Sequence, residues 1–159
     1  MKKKVDDTSK VEEPMVAYGM ANFTPMVAMM GSQYENPSDF DLLKLARKGI
    51  SKKSLLALAK QISLTIEEVA SVLHISERTL QRYTPQTLVK TEYADRAIEL
   101  ALLYERGIEV LGSERAFSNW IKSPNYALGG EIPFNLLDTR IGFTMVLNIL
   151  GRIEYGVFS

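Results

Sequence analysis

The stretch "LTIEEVASVLHISERTLQRYTP", residues 64–85, contains two helix starts in quick succession, and its reading decides the fold. Thr65 and Glu68 have the spacing of a capping box, in which each side chain satisfies the other residue's backbone N–H. Leu64 and Val69 occupy the flanking staple positions, so a helix begins between them. Ser76 repeats the arrangement as an N-cap, with Ile75 and Leu80 as its staple. Thr84 precedes Pro85 and is biased out of the helical region, which ends the second helix. Two short helices therefore meet at a tight turn.

Such a turn needs a small residue where the helices cross, a left-handed residue at the bend and an apolar residue after it. Ala70, His74 and Ile75 fill these places. Glycine would fit the bend more easily, but histidine is enriched at positive φ relative to most other residues. The second helix then turns Glu77, Arg78, Gln81 and Arg82 outward, with Leu80 inward and Thr79 at the boundary. Arginine can grip guanine through two hydrogen bonds, glutamine can do so with adenine, and hydroxyls reach phosphates or the thymine methyl. A DNA-reading helix-turn-helix is expected, with Ser76, Arg78, Thr79, Gln81 and Arg82 as its contact residues.

Charge agrees with that expectation. The chain is neutral overall, with 19 basic and 19 acidic residues. Yet residues 44–90 hold 9 Lys and Arg against 3 Asp and Glu, a net of +6, while residues 91–159 hold 6 against 9, a net of −3. The basic stretch can face phosphate and the acidic half something else. Upstream, Ser38 can cap a helix that Gly49 ends, and Ser51 can cap the next, with Ile50 and Leu55 as its staple and Leu55, Leu58, Ala59 and Ile62 facing inward.

Composition sets the outer bounds. A length of 159 residues suits one domain or two small ones sharing a seam, and 46% hydrophobic with 24% charged residues is ordinary for a globular protein. The absence of cysteine removes disulfides, thiolate nucleophiles and cysteine-bound zinc, and it suits a reducing cytoplasm. "MKKK" could open a signal peptide, but "VDDTSKVEEP" follows where an apolar run is required. Pro14 to Met30 is too short and too interrupted to span a bilayer. No membrane association is expected, and residues 1–36 read as an arm, either mobile or packed on a neighbour. One histidine, no phosphate-binding loop, no dinucleotide glycine pattern and no metal-binding cluster argue against an enzyme, so no catalytic residue, metal or cofactor is assigned.

The second half is built differently. From Thr91 to Leu111 a long helix lines up Tyr93, Ala97, Leu100, Tyr104, Ile108 and Leu111, while Ile98, Leu102 and Val110 lie off that stripe. A second contact surface, within the chain or in a dimer, would account for them. Ser113 caps the next helix, whose Ala116, Phe117, Trp120 and Ile121 face one way. A loop with Gly129-Gly130 and two prolines, Pro124 and Pro133, allows a sharp reversal, and Pro133 suits the first turn of a short helix. In "TRIGFTMVLNILGRIEYGVFS", Arg140, Thr144 and Asn148 recur every four residues and nearly everything between them is apolar. This helix, about a dozen residues before Gly151, is too short for a membrane and must be enclosed by protein, its own or a partner's.

The segment from Arg115 to Ser159 resembles the C-terminal toxin-binding domain of the Xre/MbcA/ParS family of bacterial antitoxins. The matching elements include Trp120, Pro124-Asn125, Ala127-Leu128-Gly129-Gly130, Pro133, Leu136-Leu137-Asp138-Thr139, Gly142, Leu150-Gly151-Arg152-Ile153-Glu154 and Gly156-Val157. The resemblance covers roughly residues 91–159, and the helix-turn-helix agrees with the Xre-type domain expected before it. It implies an all-α chain: an arm over 1–36, a DNA-binding domain over 37–90 and a toxin-binding domain over 91–159. It further implies an antitoxin that binds its own operator and inhibits a toxin, often a RES-domain protein that degrades NAD. The toxin-facing residues it suggests are Met145, Arg152, Glu154, Tyr155, Val157, Phe158 and Ser159. Arg152 and Glu154 either enter the toxin's polar subsites or tie the tail to the domain. A homodimer is expected because symmetric repressors read two half-sites, with the helix from Thr91 as candidate seam. The rival is a helix-turn-helix regulator whose second half binds a small effector in a pocket.

Overall fold

Side-chain caps set nearly every helix start. In a computed structural model describing residues 23–156, the chain forms α1 (Pro25–Met30), α2 (Asp39–Lys48), α3 (Lys52–Gln61), α4 (Ile66–Leu73), α5 (Glu77–Arg82), α6 (Thr91–Leu111), α7 (Glu114–Ile121) and α8 (Arg140–Glu154). Hydroxyls of Thr24, Ser38, Ser51, Thr65, Ser76, Ser113 and Thr139 cap seven of these by accepting a backbone N–H from the first turn. Three 3-10 turns, Ser32–Tyr34, Tyr126–Leu128 and Pro133–Leu136, fill the connections. Among the described residues there is no strand, only an isolated antiparallel bridge between Ser51 and Leu88.

The decisive stretch folds as read. Thr65 Oγ1 accepts from Glu68 N at 3.1 Å and Glu68 Oε2 accepts from Thr65 N at 2.8 Å, closing the box. His74 ends α4 in the left-handed region at φ 61°, ψ 29°. Both staples are buried: Leu64 with Val69, and Ile75 with Leu80. The segment after α5 returns along the start of α3, where Val89 N donates to Ile50 O at 2.8 Å and Lys52 Nζ donates to Tyr83 O at 3.0 Å.

One core runs through both halves, and α6 is its axis. Helices α1, α2, α4, α7 and α8 all pack on it. This accounts for the off-stripe residues of α6: Ile98 is buried, and Leu102 and Val110 pack half-buried against the same core. The second surface is therefore intramolecular. Tyr104 meets Phe117 edge-on at 4.9 Å, and Phe117 stacks on Trp120, which fixes α7 on α6.

Two expectations change. Residues 25–30, read as part of an arm, form α1 on the chain's own α3 and α6, with Met26 and Met29 buried. A six-residue helix is unstable by itself. Burial of two methionines at about 1.5–3 kcal/mol each compensates, and Glu105 Oε1 accepts the N–H of Met26 at 2.9 Å. The rest of the expected arm, residues 1–22, lies outside the described residues. Second, α8 continues through Gly151 to Glu154. One interior glycine costs only about 1 kcal/mol, too little to stop a helix seated on a core.

Candidate functional site

The first candidate surface is the outward face of α5. Arg78, Gln81 and Arg82 are exposed on this six-residue helix, while Leu80 anchors it in the core. Positions 78, 81 and 82 are separated by three and four residues, so the three side chains share one face. Ser76 and Thr79 are occupied locally: Ser76 Oγ accepts from Thr79 N at 3.1 Å and hydrogen-bonds Thr79 Oγ1 at 2.7 Å. Both hydroxyls first hold the helix start, which leaves the two arginines and Gln81 as the free long donors. Glu77 is exposed beside them and adds a negative charge to the same turn.

The second is α8. Gly142, Phe143, Val146, Ile149 and Leu150 are buried, whereas Ile141, Met145 and Leu147 are 75%, 41% and 44% exposed. Together with exposed Arg140, Thr144, Asn148, Arg152 and Tyr155, they make an open face on a helix whose other side is fixed in the core. The connection from Ser123 to Thr139 builds its seat. Asn125 closes that loop, its carbonyl accepting from Gly130 N at 2.9 Å and its Oδ1 from Ala127 N at 2.9 Å. Gly129 and Gly130 take φ of 68° and 87°, as the reversal requires. Leu137 is fully buried, and Gly142 passes so close to Leu136 that a Cβ there would lie 1.7 Å from its carbonyl oxygen.

The expected toxin-facing residues divide. Met145, Arg152 and Tyr155 are exposed on or just after α8. Glu154 pairs with Arg106 of α6, and Arg106 also reaches Glu109 at 3.4 Å, so Glu154 ties the end of α8 to the axis of the fold. Val157, Phe158 and Ser159 lie outside the described residues. Ile141 and Leu147 were not singled out in the sequence reading. Periodicity marked them as apolar but could not tell which apolar side faces the core.

The two surfaces are joined by contacts invisible to local patterns. Arg96 Nε donates to Val72 O at 2.7 Å and its Nη2 to Leu137 O at 3.0 Å, with the guanidinium 5.8 Å from the centre of the Phe143 ring. His74 Nε2 lies 2.5 Å from Asp138 O. The end of the first motif helix and its turn thus rest on the residues just before α8. Glu68 adds a third tie through Lys122 Nζ at 2.9 Å. Burial would raise the Glu68 carboxyl, but bonds from Lys122 and Thr65 outweigh it and hold its pKa below the usual glutamate range. Among the described residues no three His, Asp or Glu side chains cluster as metal ligands, and no helix is long and apolar enough to cross a membrane.

Comparison with known proteins matches both halves in order. Residues 41–102 match the antitoxin Xre-like helix-turn-helix domain, and residues 106–156 match the antitoxin Xre/MbcA/ParS C-terminal toxin-binding domain. The junction between the two falls inside α6. The mycobacterial cidal antitoxin MbcA of Mycobacterium tuberculosis is 34% identical over 105 residues, covering 62% of this chain and 87% of that protein. The Prs ADP-ribosylating antitoxin of a Sphingobium strain is 26% identical over 132 residues, covering 77% and 83% respectively. The antitoxin Xre of Yersinia enterocolitica is 25% identical over 120 residues, covering 74% and 81%. A helix-turn-helix fused through one shared helix to a toxin-binding domain, with antitoxin relatives along most of both chains, is no enzyme's architecture, and the chain belongs to the Xre/MbcA/ParS family of antitoxins.

Proposed function

We propose that this chain neutralises its toxin by laying the open face of α8 on it, and represses its own operon by reading a symmetric operator through α5. The observation that carries the first part is the set of exposed apolar side chains on α8, Ile141, Met145 and Leu147, within the segment matched to the toxin-binding domain. Ile141 and Met145 lie one turn apart on that face with Asn148 and Arg152 beside them, and Leu147 extends the apolar surface beyond Thr144, so apolar side chains and polar neighbours alternate as protein interfaces allow. The toxin is read as a RES-domain, NAD-degrading enzyme acting in the cytoplasm. Support for NAD chemistry also comes from the relative named a Prs ADP-ribosylating antitoxin. Arg152, Tyr155 and the following Val157, Phe158 and Ser159 approach the toxin's pocket, while Glu154, held by Arg106, sets their direction. The matching toxin-binding domain and the antitoxin relatives support the toxin-binding reading over the effector-binding alternative.

The test is co-expression with the adjacent reading frame, recording growth and cellular NAD. Ile141→Asp combined with Met145→Asp should abolish neutralisation without unfolding the chain, because both side chains already face water. Full neutralisation by this double variant would remove α8 from the interface. Deleting residues 155–159 separates a plug from a simple tether, since undiminished inhibition would leave only the tether. For the operator, Arg82→Ala should cost about 1–3 kcal/mol at fixed salt if Arg82 grips a base.

A further inference from the structure

Glu77 is the single acid on α5, in a stretch, residues 44–90, where 9 Lys and Arg outnumber 3 Asp and Glu. It is the first residue of the helix and its side chain is exposed. Of the three acids, Glu68 is held by Lys122. The other ion pairs among the described residues, Arg106 with Glu109 and with Glu154, leave the Glu77 carboxylate without a cationic partner. Lys52 lines the same cleft as Glu77 and Gln81, but its ammonium donates to Tyr83 O at 3.0 Å. A free carboxylate turned toward phosphates is repelled by them, so Glu77 weakens binding to any duplex unless a base offers it a donor.

We propose that Glu77 reads a cytosine in the operator half-site, an assignment that rests on the operator reading of α5. The first residues of a recognition helix are the ones that reach base edges. An ionised carboxylate can only accept hydrogen bonds. In the major groove guanine shows two acceptors, thymine an acceptor beside its methyl, and adenine an acceptor next to its amino group. Cytosine alone presents a donor, its N4 amino group, with no acceptor beside it. Glu77 therefore selects cytosine by attraction and rejects the other three by repulsion, and both contribute to specificity. Gln81 lies one turn further along the same side of α5, and four residues advance about 6 Å along the axis. That is about two base-pair steps of ~3.4 Å. With Gln81 on adenine, the half-site holds a cytosine and an adenine about two base pairs apart. A carboxylate in the first turn of a helix also gains from the helix dipole, but that role confers no sequence preference.

Selection by the full chain from a randomised duplex library, followed by titration of single base-pair replacements at fixed salt, tests the assignment. The wild type should prefer cytosine by about tenfold at one position of the half-site. Glu77→Ala should cut that preference below about twofold while raising affinity for unrelated duplexes by about threefold, because a repelled charge has gone. Glu77→Gln should move the preference to adenine. Glu67→Ala is the control, since it removes a like charge from α4, the motif helix that crosses the backbone. It should raise affinity for all duplexes alike and keep the cytosine preference. An unchanged preference in Glu77→Ala, a uniform loss of affinity in that variant, or loss of the preference in Glu67→Ala would each overturn the assignment of Glu77 alone. A wild type that enriches no sequence would bring down the operator reading and Glu77 with it.

Discussion

Replacing Arg96 by Met tests whether the two halves are one cooperative unit. The substitution keeps an apolar stem along α6 but removes the bonds to Val72 O at 2.7 Å and Leu137 O at 3.0 Å, and the cation above Phe143. A hydrogen bond from a charged donor contributes about 1.5–3 kcal/mol net, and Arg96 is only partly buried, so the lower end applies to each. The cation over the ring adds about 0.5–1 kcal/mol at such a site. Retained methionine packing returns part of this, giving an expected loss of about 3 kcal/mol and a fall in Tm of about 6–12 °C for a chain of this size. Urea unfolding should be followed by helical circular dichroism and by fluorescence of Trp120, the single tryptophan. In the wild type the two transitions should coincide, and in the variant Trp120 should report earlier unfolding, because the seat of α8 has lost its anchor. Arg96→Lys should recover about half of the loss through one retained bond. A change below about 0.5 kcal/mol, inside the range of ordinary surface substitutions, would refute Arg96 as a clamp.

Three further outcomes follow from the same contacts. Gly142→Ala places a methyl group 1.7 Å from the Leu136 carbonyl oxygen, so α8 must lift from its loop. The cost should be about 2–3 kcal/mol in thermal unfolding, with weaker toxin capture. His74→Gly relieves about 1 kcal/mol of left-handed strain and gives up a hydrogen bond to Asp138 of about 1 kcal/mol, leaving the urea midpoint nearly unchanged. His74→Val keeps the strain and loses the bond, so its midpoint should fall clearly below that of the glycine variant. Glu68 has a folded pKa held below its unfolded value, so its contribution is complete above the ordinary glutamate range and is lost as pH falls through the folded pKa. Melting temperatures of Glu68→Gln and wild type should therefore differ at neutral pH and converge on acidification, and a constant difference would remove the linkage.

The limits of the α8 reading have a definite cause. A repeat of Arg140, Thr144 and Asn148 identified a helix with little room for water, but a nearly all-apolar sequence contains no periodic signal to say which side is closed. The buried side was chosen by α6 and by the loop at Leu136 and Leu137, and Ile141, Met145 and Leu147 were left outside. The same holds for α1, whose sequence is interrupted and polar-flanked. It folds because Met26, Met29 and the N–H of Met26 find α3, α6 and Glu105, residues distant along the chain.

What the chain's own order of residues determined is local: the capped starts, the left-handed bend at His74, the outward Arg78, Gln81 and Arg82, and the reversal at Gly129-Gly130. Each depends on atoms within three or four positions, where hydroxyl, carboxylate and backbone N–H meet whatever the rest of the chain does. Tertiary structure alone decided which apolar residues stay open on α2 and α8, that Glu154 answers Arg106, and that Arg96 and His74 bind the DNA-reading turn to the seat of α8. Those pairings join residues 24 to 64 positions apart, and burial depends on which surfaces reach one another in space, a property no local spacing encodes.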